Sequence, residues 1–316
     1  MYTDPETVSC TEDIMIAVAK GSGCSVQAMS VSPQKTAWLI SKNDRHFLLI
    51  DQVFYPNIPR WHQLLTANKI VTQQVLDTLN LATIPTTSIY GKNDAKEQLT
   101  ASHTTHSFPV IIKPARGSKG LGIETAYNQD ELLEGLKKCA AAETDVLVQD
   151  LFDHDEYRVF VFEGEVLLIN GKEFPAIVGD GTRTVAELLT EKLPHHIDNR
   201  VLERELAAAN LSPESIVPSG VQIKTHITKK PVPERYHPDN FPAGLVTWSK
   251  EFCKTVGLPT VGIDIFIEGT PEDPRAVHII ELNSSPGLYY LITHFDDQAT
   301  AERIAEHVLN NYFNGQ

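Results

Sequence analysis

The stretch VGIDIFIEGTPEDPRAVHIIELN, Val261 to Asn283, decides the fold. Two apolar runs, residues 261–267 and 278–283, flank a polar segment in which Gly269, Pro271 and Pro274 punctuate a turn. The pattern predicts an antiparallel hairpin. With its turn centred between Glu272 and Asp273, Asp264 falls directly across from Glu281. Asn283, two residues on, shares the face of Glu281. Opposed carboxylates on a largely apolar hairpin repel each other unless a cation lies between them. Mg²⁺ meets that need, because hard cations take oxygen ligands and bridge phosphates. Asp264, Glu281 and Asn283 are thus candidate metal ligands, the alternative being solvent-facing residues of a half-buried hairpin.

A second feature lies upstream. The apolar run 108–113 reads as a strand, and it leads into Ala115-Arg116-Gly117-Ser118-Lys119-Gly120-Leu121-Gly122. Glycines let backbone N–H groups turn toward an anion and approach it closely, and Arg116, Lys119 and the nearby Lys113 add positive charge. The spacing matches neither the Walker A pattern nor the dinucleotide fingerprint. Alone, such a loop reads as a hairpin turn. Beside a carboxylate metal site it reads as a phosphate loop.

Composition narrows the class. The 316 residues are 41% hydrophobic and 22% charged, as in a soluble globular protein. The net charge of −14 argues against general binding to nucleic acid or an anionic membrane. No apolar run reaches membrane-spanning length, and the acidic N-terminus is unlike a signal peptide. The four cysteines are far apart and read as reduced thiols, so the expected location is cytoplasmic.

Helical spacing of apolar residues marks 66–79, 128–142, 184–192, 201–210, 241–256 and 298–312. Strand-like runs mark 145–152 and a hairpin over 156–170 bent at Glu163-Gly164. The alternation predicts an α+β fold with antiparallel sheets. The expected organisation is a small α/β domain over 1–65 and a larger domain over 66–316, divided into lobes 66–150 and 151–316. Residues 211–238 match no clear element.

Together, NKIVTQQVL (68–76), FPVIIKPARGSKGLGI (108–123), VLVQDLFDHDEYRVFVFEGEV (146–166) and GIDIFIEGTPEDPRAVHIIELNSSPGL (262–288) resemble the ATP-grasp superfamily of carboxylate–amine ligases. The segment IVGDGTRTVAELL (177–189) is most similar to the ATP-grasp module of cyanophycin synthetases and of the bifunctional enzymes that make glutathione. The resemblance implies two α+β lobes clasping ATP. Lys69 and Lys113 then contact phosphates, and residues 117–122, with Gly117, Ser118, Lys119 and Gly120, form the flap above them. Gln149, Asp150, Leu151 and Phe152 meet adenine, largely through backbone groups, and Glu156 holds the ribose. Asp264, Glu281 and Asn283 bind Mg²⁺, expected as two ions that Mn²⁺ can replace. Arg158, two residues from Glu156 on one strand face, is placed either on the phosphate or acyl intermediate or in a surface ion pair with Asp153 or Asp155. Arg183 is a weaker substrate candidate, and Ser284, Ser285 and Gly287 either hold a carboxylate through backbone N–H groups or form a plain turn.

The implied chemistry is ADP-forming. A carboxylate takes the γ-phosphoryl group of ATP, and an amine then displaces phosphate from the acylphosphate. Positioning and charge neutralisation carry such steps. The expected partners are a small carboxylate and an amine, an amino acid or short peptide, with neither nucleic acid nor membrane, and the resemblance is compatible with a homo-oligomer. Modification of a protein or secondary metabolite, and a nucleotide-binding regulator without turnover, are the other readings. Gly262 stands where D-alanine–D-alanine ligases carry an arginine, which counts against that substrate.

Overall fold

The computed structural model describes residues 5–32, 35–50, 54–91, 97–98, 106–117, 122–141, 145–192, 197–236, 238–288, 291 and 297–315. Its strands are β1 (Ser25–Ser32), β2 (Lys35–Lys42), β3 (Arg45–Leu49), β4 (Thr86–Ile89), β5 (Val110–Pro114), β6 (Glu124–Ala126) and β7 (Val146–Asp150). They continue with β8 (Asp155–Phe162), β9 (Glu165–Glu173), β10 (Ala176–Val178), β11 (Gln222–Lys224), β12 (Lys230–Arg235), β13 (Val261–Gly269) and β14 (Pro274–Asn283).

Two antiparallel sheets frame the molecule, a five-stranded one in the order β12-β9-β8-β13-β14 and a four-stranded one in the order β4-β7-β5-β6. The α+β expectation holds. In the larger sheet, alternate residues serve two cores, as a period of two requires. Val159, Ile169, Ile263, Ile265 and Ile267 pack with Leu245 and Phe252 of the helix Ala243–Val256. Phe160, Phe162 and Leu168 pack on the other side, with Met15 and Ile16 of the helix Pro5–Gly21 and with Ile304 and Val308 of the helix Gln298–Asn314. The same cluster takes in Ile40, Phe47, Leu49 and Tyr55, so the N-terminal block and the C-terminal helix bury a common core against this sheet.

The smaller sheet is covered on one face by the helix Gln129–Ala141, through Val110, Ile112, Val146 and Val148 against Leu132 and Leu136. The intervening residues Ile111, Lys113, Leu147 and Gln149 therefore lie on the opposite face. The helix Lys69–Thr78 begins where it does because the Asn68 side chain accepts from the amides of Ile70 (3.0 Å) and Val71 (3.4 Å), satisfying N–H groups that a helix start leaves open.

Residues 174–229 form an insertion between β9 and β12, which are adjacent strands of the large sheet. It has its own core of Ile177, Val185, Leu188, Leu202, Leu206 and Ile223. Thr184 and Glu187 close a reciprocal cap on its first helix, Val185–Leu189. Gly179 lies so close to the facing loop that a β-carbon would stand 2.1 Å from the Pro218 carbonyl oxygen and 2.6 Å from that of Val217. Gly179→Ala is expected to destabilise the insertion by about 1–3 kcal/mol, since backbone cannot retreat as a side-chain tip can. A thermal melt checks this, and an unchanged transition would contradict the packing. Among the described residues no helix is long and apolar enough to cross a membrane.

Candidate active site

Strand pairing builds the site as a lattice. Across the large sheet, Asn170 on β9 opposes Arg158 on β8, which opposes Asp264 on β13, which opposes Glu281 on β14. The next row on the same face reads Lys172, Glu156, Phe266, His278. The row on the other side reads Leu168, Phe160, Gly262, Asn283. Directly opposed residues share a face, so one face carries every acidic candidate among hydrophobic rows. Asp264 does face Glu281, as expected.

The charges are neutralised within the protein. Arg158 forks onto Asp264, its Nε 2.7 Å from Oδ1 and its Nη2 2.7 Å from Oδ2. The Lys172 ammonium bridges Oδ2 of Asp264 (2.9 Å) and Oε1 of Glu156 (2.6 Å). Burial alone would raise the pKa of Asp264, but the charges and hydrogen bonds of Arg158 and Lys172 outweigh it and hold the carboxyl well below the usual range. Arg158 thus pairs with Asp264 inside the site, a partner that its sequence setting did not suggest. The opposed carboxylates also do not by themselves demand a metal, because a guanidinium and an ammonium already stand beside them.

Lys69 reaches the site from the start of its helix. Its Nζ donates to the Gly117 carbonyl (2.9 Å) and lies 3.6 Å from Oε1 of Glu281, while its amide donates to Ala115 O (2.8 Å). Lys113 projects from the cleft face of β5. Desolvation pushes its pKa down, and the nearby Glu281 and Glu156 oppose that shift. Both lysines therefore approach the carboxylate rows from the facing lobe. A narrow crevice between the lobes is lined by Lys69, Gln149, Ile280 and Glu281.

The 149–152 segment forms the link from the small sheet to β8. Gln149 is buried and its Nε2 donates to Thr86 Oγ1 (2.8 Å). The amides of Asp150 and Leu151 donate to Pro85 O (3.3 Å) and Pro109 O (3.2 Å). Phe152 packs against His278 and Phe266, with ring centroids 5.0 and 6.0 Å away. Arg116 and Gly117 are exposed at the loop entrance, whereas Ser118, Lys119, Gly120 and Leu121 lie outside the described residues. Arg183 is remote from these rows, bound to Asp180 (2.6 Å) and Glu191 on the surface of the insertion.

The turn after β14 is held by the N-terminal block. Ser285 Oγ accepts from the Phe54 amide (3.2 Å), Tyr55 donates to Pro286 O (2.5 Å), and the Leu288 amide donates to Thr11 Oγ1 (3.0 Å). A β-carbon at Gly262 would stand 3.1 Å from Pro286 Cβ, so a long side chain there would press on this turn.

Sequence reasoning missed Lys172, the group that links Glu156 to Asp264. It also missed His106, whose ring nitrogens contact Asp150 Oδ1 (2.7 Å) and Thr87 Oγ1 (2.8 Å) and brace the linking segment.

The oxygen donors fit a hard cation in part. Glu281 and Asn283 stand two residues apart on one strand face, and Glu281 meets Lys69 only at ion-pair distance. Asp264 is engaged by three N–H donors and would join by exchanging one of them. Among the described residues no trio of His, Cys, Asp and Glu converges at metal-ligand spacing.

Comparison with known proteins finds similar chains. Residues 68–155 match the family model of the carbamoyl-phosphate synthase L chain, ATP binding domain. The glutathione biosynthesis bifunctional protein of Streptococcus agalactiae is 25% identical over 249 residues, which cover 72% of this chain and 33% of the relative. The cyanophycin synthetase of Synechocystis is 25% identical over 281 residues, covering 79% of this chain and 30% of the relative. The chain thus spans about a third of the length of the curated relatives it matches. A bifunctional glutathione synthetase from Pasteurella multocida superposes with a TM-score of 0.58 at 18% identity, covering 97% of this chain and 44% of that one. With its paired antiparallel sheets, its two lysines over a carboxylate face and the family match across residues 68–155, the chain has the fold of the ATP-grasp ligases and is similar to them in sequence.

Proposed function

We propose that the protein is an ADP-forming ligase that activates a small carboxylate as an acylphosphate and joins it to an amine, with amino acids or short peptides as substrates. The observation that carries this reading is the facing of Lys69 and Lys113 against the row Asn170, Arg158, Asp264, Glu281. A polyphosphate set between them would meet ammonium groups from one lobe and the metal-ligand carboxylates from the other.

Glu281 and Asn283, with Asp264, would hold Mg²⁺, which supplies charge neutralisation at phosphate oxygens. Lys69 and Lys113 orient the phosphate chain and offset its charge as the phosphoryl group transfers. Arg158 and Lys172 keep Asp264 ionised and fixed in direction. Glu156, set by Lys172, offers an acceptor for ribose hydroxyls. No protein nucleophile is required, because the substrate carboxylate oxygen attacks phosphorus and the amine then attacks the acyl carbon.

The test is ADP and phosphate release from Mg²⁺-ATP with pooled amino acids, γ-glutamylcysteine and short peptides, followed by mass spectrometry. The proposal expects release that needs both an acid and an amine, with a condensed product. Release without any product would contradict it. Lys113→Ala is expected to weaken ATP binding about tenfold to hundredfold, the worth of hydrogen bonds to charged groups. Unchanged affinity in a calorimetric titration would remove Lys113 from the phosphate site.

A further inference from the structure

The insertion is tied to the smaller lobe by cations reaching across a gap. On the helix Asn199–Ala208, Val201, Leu202 and Leu206 are buried in the insertion. Arg200 and Arg204, four residues apart, project from another side of that helix. Arg200 Nη2 lies 3.0 Å from Glu124 Oε2, and Arg204 Nη2 lies 2.6 Å from Glu131 Oε1. The Arg204 guanidinium also sits 3.8 Å above the ring centroid of Tyr127. These three targets belong to the smaller lobe, directly after the glycine loop, on β6 and at the start of the helix Gln129–Ala141. Glu131 is held in place independently, since its carboxylate accepts from the Tyr127 amide (3.2 Å) and from Asn128 Nδ2 (2.8 Å).

A second tie lies at the connection between the lobes. Lys229 donates to the His154 carbonyl, and Lys224 Nζ stands 3.9 Å from Asp153 Oδ2. Both ammonium groups lie over the Phe174 ring, Lys224 at 4.2 Å and Lys229 at 4.8 Å from its centroid. The insertion therefore touches the smaller lobe at its outer end and the connecting segment at its root, each time with a cation from the insertion.

We propose that the insertion is an electrostatic clasp that sets how far the smaller lobe stands open over the cleft. Fixed acids on the lobe meet arginines on a helix anchored elsewhere, so rotation of the lobe away from the large sheet must part them. Arg200 and Arg204 are about half exposed. Exposed pairs are weak, each a factor of about two to five in an equilibrium, and they weaken further with salt. Strength of that order holds a lobe without locking it. The significance for turnover rests on the ligase reading, where an open lobe admits water to the acylphosphate, but the clasp itself is testable without nucleotide.

The experiment is small-angle scattering of the full chain, nucleotide-free, comparing wild type with Arg200→Gln/Arg204→Gln at low and high salt. The clasp predicts a larger radius of gyration for the double variant at low salt, wild type approaching it as salt rises, and an unchanged melting temperature. Arg204→Lys, which keeps charge without the planar stack on Tyr127, should fall between. Identical scattering for all three proteins at both salt concentrations overturns the clasp, as does expansion that coincides with a lowered melting temperature in both Gln and Lys variants. In a second arm, with Mg²⁺-ATP and both substrates, the double variant should release several times more phosphate per product formed than wild type. Expansion of the double variant in a protein that turns over no nucleotide supports the clasp and counts against the ligase reading alone.

Discussion

Asp264→Asn is expected to unfold at a markedly lower denaturant concentration than wild type, by about 3 kcal/mol, as well as to lose turnover. The aspartate is 4% exposed and carries both the Arg158 fork and one arm of Lys172. Removing its charge leaves two cations facing a neutral amide at a site that water reaches poorly. Breaking one member of a buried ionic cluster costs about 3–5 kcal/mol for that reason. The amide retains one oxygen acceptor, which places the expectation at the lower end. The variant thus reports on folding and catalysis together, and equilibrium urea unfolding separates the two. A transition within about 1 kcal/mol of wild type would show that Arg158 and Lys172 find other partners.

Glu281→Gln is expected to behave differently, with its effect concentrated on turnover. Its carboxylate meets Lys69 at 3.6 Å, beyond hydrogen-bond length, and is partly exposed to the cleft. Stability should therefore stay within about 1 kcal/mol of wild type, as for exposed pairs. Turnover should fall by about a hundredfold to a thousandfold or more, the scale on which one lost electrostatic contact to a developing charge acts. The fall should be accompanied by a higher Mg²⁺ requirement, read from the metal dependence of ATP binding. A variant with wild-type turnover at low Mg²⁺ would remove Glu281 from the metal site. The two substitutions thus divide the opposed pair into a structural member and an exposed one, a division that pairing alone does not reveal.

The sequence made the pair legible and hid its setting, and β-bulges explain both. In the β13–β14 hairpin the register shifts between Glu268 and Gly269, and again between Asp264 and Ile265. The turn is centred one residue earlier than its composition suggests, but the two shifts add back two residues along β14. Asp264 consequently still meets Glu281, and the faces are preserved because a shift of two restores the alternation. In the β8–β9 hairpin a single shift falls between Phe160 and Val161. A mirror drawn through Glu163-Gly164 would set Glu156 against Gly171. The bulge sets it against Lys172 instead, and brings that lysine onto the face that carries Arg158 and Asp264. Nothing in the local residues marks where a bulge falls, which is why Lys172 was invisible while Asp264 and Glu281 were not.

Other elements follow the same logic of strong and weak signals. The helices Gln129–Ala141, Ala243–Val256 and Gln298–Asn314 were read within a few residues, because their apolar faces are periodic and buried. The helix Pro5–Gly21 and β1 were not read. β1 buries little, so its sequence lacks the alternation that marks a half-buried strand. The segment 211–238 resisted assignment because it supplies short strands to two different sheets, β11 to the insertion and β12 to the edge of the large sheet. A phosphate-contacting role for the lysines is suggested only by resemblance. Their convergence depends on Asn68 starting a helix and on β5 turning alternate residues into the cleft.

The most direct measurement uses Mg²⁺-ATP with a pool of amino acids and γ-glutamylcysteine whose carboxyl groups carry oxygen-18, and weighs the phosphate released. The attacking carboxylate oxygen becomes the bridging oxygen of the acylphosphate and leaves with the phosphate when the amine displaces it. The account predicts ADP together with phosphate carrying one heavy oxygen. AMP and pyrophosphate as products, or ADP with phosphate free of label, would contradict it.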